Sequence, residues 1–358
     1  MVNQNDKITS NNTLLSYVYD EKSVSKETFL PAVAYVKDGN ITGRMYDTFL
    51  FLPASSYIYG KSSGGFKKND LLEYINIGVF NNNGNLDSLE QAALETREAL
   101  NDNFTVEVVM TVIPPEKNTV DFGEINGKEM DLTKTEDMKS VIKWMVDEQI
   151  SQFLKKDYKA LKLSGFYWFH ESIHPTDDIT IEMVKYFTAY VRSLGYYSCW
   201  IPFHGAEGCD SNSIFGFDRV NMQGNFFAGN PDFPNNFAYS DYFGHQTAKQ
   251  TFERAANIIN TNGLSFEMEF GGDVNNKRSV TGFKLYMLYA IKLGYMYKNL
   301  YYYMGGGSGP VFDLCNSDDP YVRSTYDEMY KFFNKTLKET DIEIQPKNAE
   351  NITAQEWY

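Results

Sequence analysis

Short apolar runs rich in β-branched and aromatic residues alternate along the chain with longer stretches of helical periodicity. The runs lie at 31–36, 46–52, 105–113, 161–169, 196–203, 218–222, 264–270 and 299–304, and each reads as a strand. Stretches at 87–101, 135–156, 178–194, 246–261, 280–297 and 321–337 read as helices, the first opening on Asp87 and Glu90 at capping-box spacing. Such alternation implies parallel strands joined by crossovers. Eight candidate strands without an intervening linker predict a single (β/α)8 TIM-type barrel over residues 26–340, with an irregular first crossover too short for a helix. The polar residues 1–25 are expected to form an N-terminal tail and residues 341–358 a C-terminal one. An open doubly wound sheet is the alternative, but it usually carries a Gly-rich turn after its first strand, and none is found.

Composition narrows the partners. The 358 residues are 42% apolar and 22% charged, a globular balance. No window approaches about 18 uninterrupted apolar residues, so no membrane span is expected. A net charge of −14 repels a phosphate backbone, so no nucleic-acid partner is expected either. Aromatic residues reach 16%, which suits a thick core and also a cleft that stacks against sugar rings. Cys199, Cys209 and Cys315 form neither a disulfide framework nor the paired thiols of a structural zinc site. The opening residues lack the basic and apolar regions of a signal peptide. A cytoplasmic protein is expected, or an extracellular or cell-surface one if a leader has been removed.

In a β/α barrel the C-terminal strand ends converge on the functional face. The fourth strand ends Gly165-Phe166-Tyr167-Trp168-Phe169-His170-Glu171. Glu171 is either a solvated residue at the start of a loop or a general acid whose pKa an apolar wall raises. The seventh strand reads Leu264-Ser265-Phe266-Glu267-Met268-Glu269-Phe270. Alternation turns Phe266, Met268 and Phe270 toward the helices, so Glu267 and Glu269 point into the barrel, about 6–7 Å apart at ~3.3 Å per residue. Inward carboxylates are costly unless hydrogen-bonded, paired or used. Glu269 lies nearer the mouth, and Glu267 suits a supporting role. Two carboxylates across one mouth fit glycoside hydrolysis, with Glu171 as acid/base and Glu269 as nucleophile or base. Asp47, Trp168, Trp200, His204, Gln223, Asn225 and Tyr303 are the candidate sugar-binding residues, amides and histidine for hydroxyls and rings for stacking. Each also has a plain structural reading.

Taken together, Tyr46-Asp47-Thr48-Phe49-Leu50-Phe51, Gly165-Phe166-Tyr167-Trp168 with Glu171, Trp200-Ile201-Pro202, Gly216-Phe217-Asp218 with Gln223, Glu267-Met268-Glu269, and Tyr302-Tyr303 before a Gly loop resemble an uncharacterised bacterial domain family. The resemblance spans most of residues 30–335. It implies a glycosidase-type barrel of the kind met beside carbohydrate-active modules, with an oligo- or polysaccharide as partner and no assigned reaction. One departure is visible: the family's Gln-Pro-Asn-Tyr stands here as Gln223-Gly224-Asn225-Phe226.

A carbohydrate-binding barrel without catalysis is the second reading. A zinc peptidase is the third, because His170-Glu171-Ser172-Ile173-His174 matches His-Glu-x-x-His. That motif works on a helix, whereas a strand precedes it here and Pro175 follows it. Neither a metal nor another cofactor is expected.

Overall fold

The computed structural model describes residues 12–19, 23–54, 66–224, 226 and 246–353. Eight parallel strands close into a barrel: β1 (Asn12–Val18), β4 (Thr48–Pro53), β5 (Val106–Val112), β8 (Leu161–Trp168), β9 (Tyr197–Trp200), β10 (Arg219–Gln223), β11 (Ser265–Phe270) and β12 (Leu300–Met304). They follow one another around the barrel in chain order, and β1 closes it by pairing with both β12 and β4. Helices cover the outside, among them α1 (Lys26–Val33), α4 (Thr135–Lys156), α5 (Asp178–Ser193), α7 (Ala248–Asn262), α8 (Lys277–Lys292) and α10 (Pro320–Phe333).

The first strand is not where it was expected. Residues 12–18, placed in the polar tail, form β1, and residues 31–36 end α1 and start a hairpin instead. The polar look of β1 misleads because its buried polar atoms find partners inside the fold: the Asn12 side-chain oxygen accepts from the Tyr302 hydroxyl at 2.9 Å. The apolar look of 31–33 arises because α1 presses Phe29, Ala32 and Val33 into the wall–helix core. Ser25 caps α1 by accepting from Thr28 N. The hairpin β2–β3 (Ala34–Lys37, Asn40–Arg44) turns through Asp38 and Gly39, both at positive φ, as a two-residue turn requires. The first crossover thus runs from β1 to β4 and holds a short helix and a hairpin, where one too short for a helix was expected.

Two smaller expectations also change. Asp87 and Glu90 do not form a capping box: Asp87 binds Lys156 and Tyr158, and Glu90 accepts from the backbone of Lys159 and Ala160. The described residues beyond 340 do not trail away. Ile342 and Ala349 are buried, and Thr353 bridges to Thr247.

Alternation splits the strands into two cores. Leu15, Leu50, Leu52, Val109, Tyr167, Cys199, Ile201 and Tyr301 fill the barrel interior. The opposite faces, with Phe166, Trp168, Trp200, Phe266, Met268, Phe270 and Tyr302, pack under the helices. Most of the aromatic richness serves this second layer.

Candidate active site

The pleat of β11 turns Phe266, Met268 and Phe270 outward, which leaves Glu267 and Glu269 facing the barrel axis. Each glutamate is 2% exposed. Register places Glu267 between Gln223 and Tyr301, and Glu269 beside Tyr303. Glu171 stands three residues beyond the end of β8, at the open rim. Its loop is anchored from both sides: Trp200 Nε1 donates to the His170 carbonyl at 2.7 Å, and Phe203 N donates to the Glu171 carbonyl at 3.3 Å.

These carboxylates meet. Glu171, Glu267 and Glu269 line one inner cavity of about 170 Å³ with Tyr17, Tyr167, Gln223 and Tyr303. An outer cavity of about 440 Å³ shares Tyr17, Tyr167 and Glu171 with it and adds Phe169, His170 and Phe203. Together they form a cleft at the C-terminal end of the barrel, polar at the bottom and aromatic along the sides.

Electrostatics distinguish the three acids. Burial raises the pKa of Glu171, against a hydrogen bond from Gln223 that favours the ionised form. Burial, then Glu269, then Glu171 push Glu267 well above the usual carboxylate range. Glu269 instead collects donors. The Tyr286 hydroxyl donates to its Oε2, and Phe226 N donates to the same oxygen at 3.2 Å. Phe226 N also donates to the Tyr286 oxygen at 2.9 Å, which directs the phenol proton toward the carboxylate. Donors on the ionised form favour it. Burial raises Tyr17 well above its ordinary value, and Tyr303 up to about 12, so both phenols stay neutral.

The remaining expected residues divide. Gln223 and Tyr303 stand in the cavity, and the Tyr303 ring meets Tyr17 edge-on at 5.9 Å. His204 is buried behind it and bonds to the backbone of Gln223; burial, then Arg254, depress it to about 4, so it is a neutral prop. Trp168 and Trp200 face outward, Trp168 against Phe187 at 5.3 Å and Trp200 stacked on Phe217 at 5.6 Å. Neither contributes to the cavity wall. Asp47 precedes β4 at the opposite end of the barrel, where it accepts from Asn12 N and Thr48 Oγ1, and burial pushes it up to about 7. Asn225 lies outside the described residues.

Three tyrosines escaped the sequence reading. Tyr167 shares the inward face with Phe169, two residues on, but in an all-aromatic run alternation does not say which face is inward. Tyr17 belongs to the strand mistaken for a tail. Tyr286 comes from α8, outside the barrel, and reaches Glu269 past Gly224, where a Cβ would lie 2.6 Å from its hydroxyl oxygen. No local pattern announces it.

The His-Glu-x-x-His match loses its footing, because residues 169–177 form no helix. His174 turns to Thr176 Oγ1 at 3.0 Å and lies 3.8 Å from Glu207. Among the described residues, no three His, Cys, Asp or Glu side chains are grouped to hold a metal ion.

Solved structures similar to this chain include the following three. One is the catalytic domain of a family GH18 chitinase from the fern Peteris ryukyuensis (12% identity, TM-score 0.43, 89% of this chain and 99% of that one). Another is a tri-modular GH5 endo-β-1,4-glucanase from Bacillus licheniformis (10%, 0.44, 92% and 60%). A third is a mutant tryptophan synthase α-subunit from Pyrococcus furiosus (11%, 0.38, 91% and 98%). Their chemistries differ, and at this level of similarity they carry no argument about a reaction. No curated protein sequence matches the chain. Residues 12–331, from the first barrel strand to within α10, match one family along their whole length, and the chain belongs to the Domain of unknown function (DUF4855) family.

Proposed function

We propose that this barrel hydrolyses glycosidic bonds, with Glu171 as the acid that protonates the leaving oxygen and Glu269 as the carboxylate that attacks carbon or activates water. One observation carries the reading: carboxylates from the ends of strands four and seven line the same small cavity from separate walls. The reaction needs one carboxyl protonated and one ionised at the same pH. Their surroundings divide them in that sense. Burial shifts Glu171 toward its protonated form, while Glu269 receives two donors on Oε2. Glu267, beneath them, stands within electrostatic reach of both. The aromatic flanks of the cleft suit the apolar faces of a sugar ring.

Glu171→Gln and Glu269→Gln, assayed on a broad glycan panel, test this. Each is expected to lower turnover by about 10²-fold or more on a responsive glycan, with the fold and the binding retained. Full rate in both variants refutes the roles. Binding without turnover across the panel indicates a carbohydrate-binding barrel.

A further inference from the structure

We infer that the glycan taken by this cleft carries a free amine, an amino sugar whose ammonium group is received by Glu267. The inference rests on the hydrolase reading of the site and names its substrate class.

Hydrolysis occupies two carboxyls, and this cavity has three. Glu267 is the surplus one. It is 2% exposed and lines the cavity floor, and only burial and the neighbouring carboxylates act on it, with no hydrogen bond or cation from a described residue. A buried carboxyl without a partner among the described residues calls for a partner from the ligand.

The donor inventory says which kind. Among the described residues, no lysine or arginine lines the inner or the outer cavity. His170 at the rim is held toward its neutral form by burial. The Tyr167 hydroxyl is committed to the Phe169 carbonyl at 3.4 Å, and the Gln223 amide to Glu171. The Tyr17 and Tyr303 hydroxyls remain as donors, so among the described residues the oxygens of three carboxyls outnumber the donors that face them. An ammonium brings three donors, no acceptor and a compensating charge. A hydroxyl brings one donor and an acceptor that finds few donors. An acetamide removes the charge and adds an acceptor where acceptors already outnumber donors. A carboxylated or sulfated sugar is repelled, in a chain already at −14. The rings of Tyr17, Phe169, Phe203 and Tyr303 along the cleft favour a sugar over a simple alkylamine.

The test is calorimetric titration with D-glucosamine, N-acetyl-D-glucosamine and D-glucose, repeated in the galacto series, against the wild-type chain and Glu267→Gln. In at least one series the amine is expected to bind at least about tenfold tighter than both matched sugars, and Glu267→Gln is expected to erase that preference. The ligand comparison on wild-type protein stands even if the variant fails to fold. Equal or weaker binding of the amine, a preference that survives Glu267→Gln, or no binding of any hexose overturns the inference. Amine-selective binding without hydrolysis of glucosamine oligosaccharides removes the hydrolase reading and leaves this one. Hydrolysis of neutral glycans alone does the reverse.

Discussion

Replacing Tyr286 by Phe deletes one hydroxyl from a chain of donors that ends on Glu269. In the wild type, Phe226 N donates to the phenol oxygen and the phenol donates to Glu269 Oε2, all within a buried layer. A hydrogen bond to a charged group contributes about 1.5–3 kcal/mol, and ~1.36 kcal/mol corresponds to one pH unit. The sign follows from the ionised form being the one stabilised. Losing the donor makes Glu269 easier to protonate, so the acid limb of the pH–rate profile moves up by about one to two units. Activity well below that limb falls roughly 10- to 100-fold. Gly224→Ala supplies an independent perturbation. Its backbone is not left-handed, but the new Cβ would lie 2.6 Å from the Tyr286 hydroxyl oxygen and 2.9 Å from Phe266 Cζ, so the phenol must shift. It is expected to move the limb in the same direction by a smaller amount. The assay is the pH dependence of kcat/KM on a responsive glycan, with a ¹³C-carboxyl titration of the glutamates as a readout free of turnover. Acid limbs that superpose on the wild type in both variants, with only the melting temperature lowered, would mean that Tyr286 is a packing residue and nothing more.

Other outcomes follow from the same structure. Activity should fall as pH rises through the raised pKa of Glu171, and Glu171→Gln should abolish that basic limb. A basic limb unchanged in the variant assigns the proton elsewhere. At the opposite end of the barrel, Asp47 rises from 3.8 to about 7. The folded chain thus holds this proton more tightly than the unfolded one. The associated stability is full below about pH 4 and is lost as pH climbs toward 7, by up to about 4 kcal/mol at ~1.36 kcal/mol per unit. Urea unfolding of Asp47→Asn should show a flatter pH dependence and greater stability than wild type at pH ~8; parallel curves would refute this. Between α8 and α10, Lys284 and Glu328 form a buried ion pair at 2.7 Å. Lys284→Met alone should cost about 3–5 kcal/mol in urea unfolding, and Glu328→Leu added to it should recover most of the loss.

How much of this was legible beforehand depended on whether the pattern was local. The two-residue pleat is local, so the inward aim of Glu267 and Glu269 followed from Phe266, Met268 and Phe270. It failed where both strand faces are apolar. Phe166 to Phe169 are all aromatic, and nothing in that run says that Tyr167 faces the cleft while Trp168 faces the helices. It failed again for β1, whose polar start is buried and bonded at positions such as Asn12 and so imitates a tail. Asp47 was misplaced because the apolar run 46–52 begins two residues before β4, which put a residue of the barrel floor among the sugar-binding candidates. Tyr286 was out of reach altogether. It lies in α8, 17 residues past Glu269, and only the tertiary path over Gly224 brings the two together.

The division of labour between Glu171 and Glu269 is tested most directly by leaving-group dependence. Each Gln variant is compared on an alkyl glycoside, whose departing oxygen needs a proton, and on a dinitrophenyl glycoside of the same sugar, whose oxygen does not. Glu171→Gln should lose about a hundredfold on the first and little on the second, whereas Glu269→Gln should lose equally on both. Equal losses for Glu171→Gln on the two substrates, or no loss in either variant, would contradict a cleft in which one carboxyl gives the proton and the other meets the sugar.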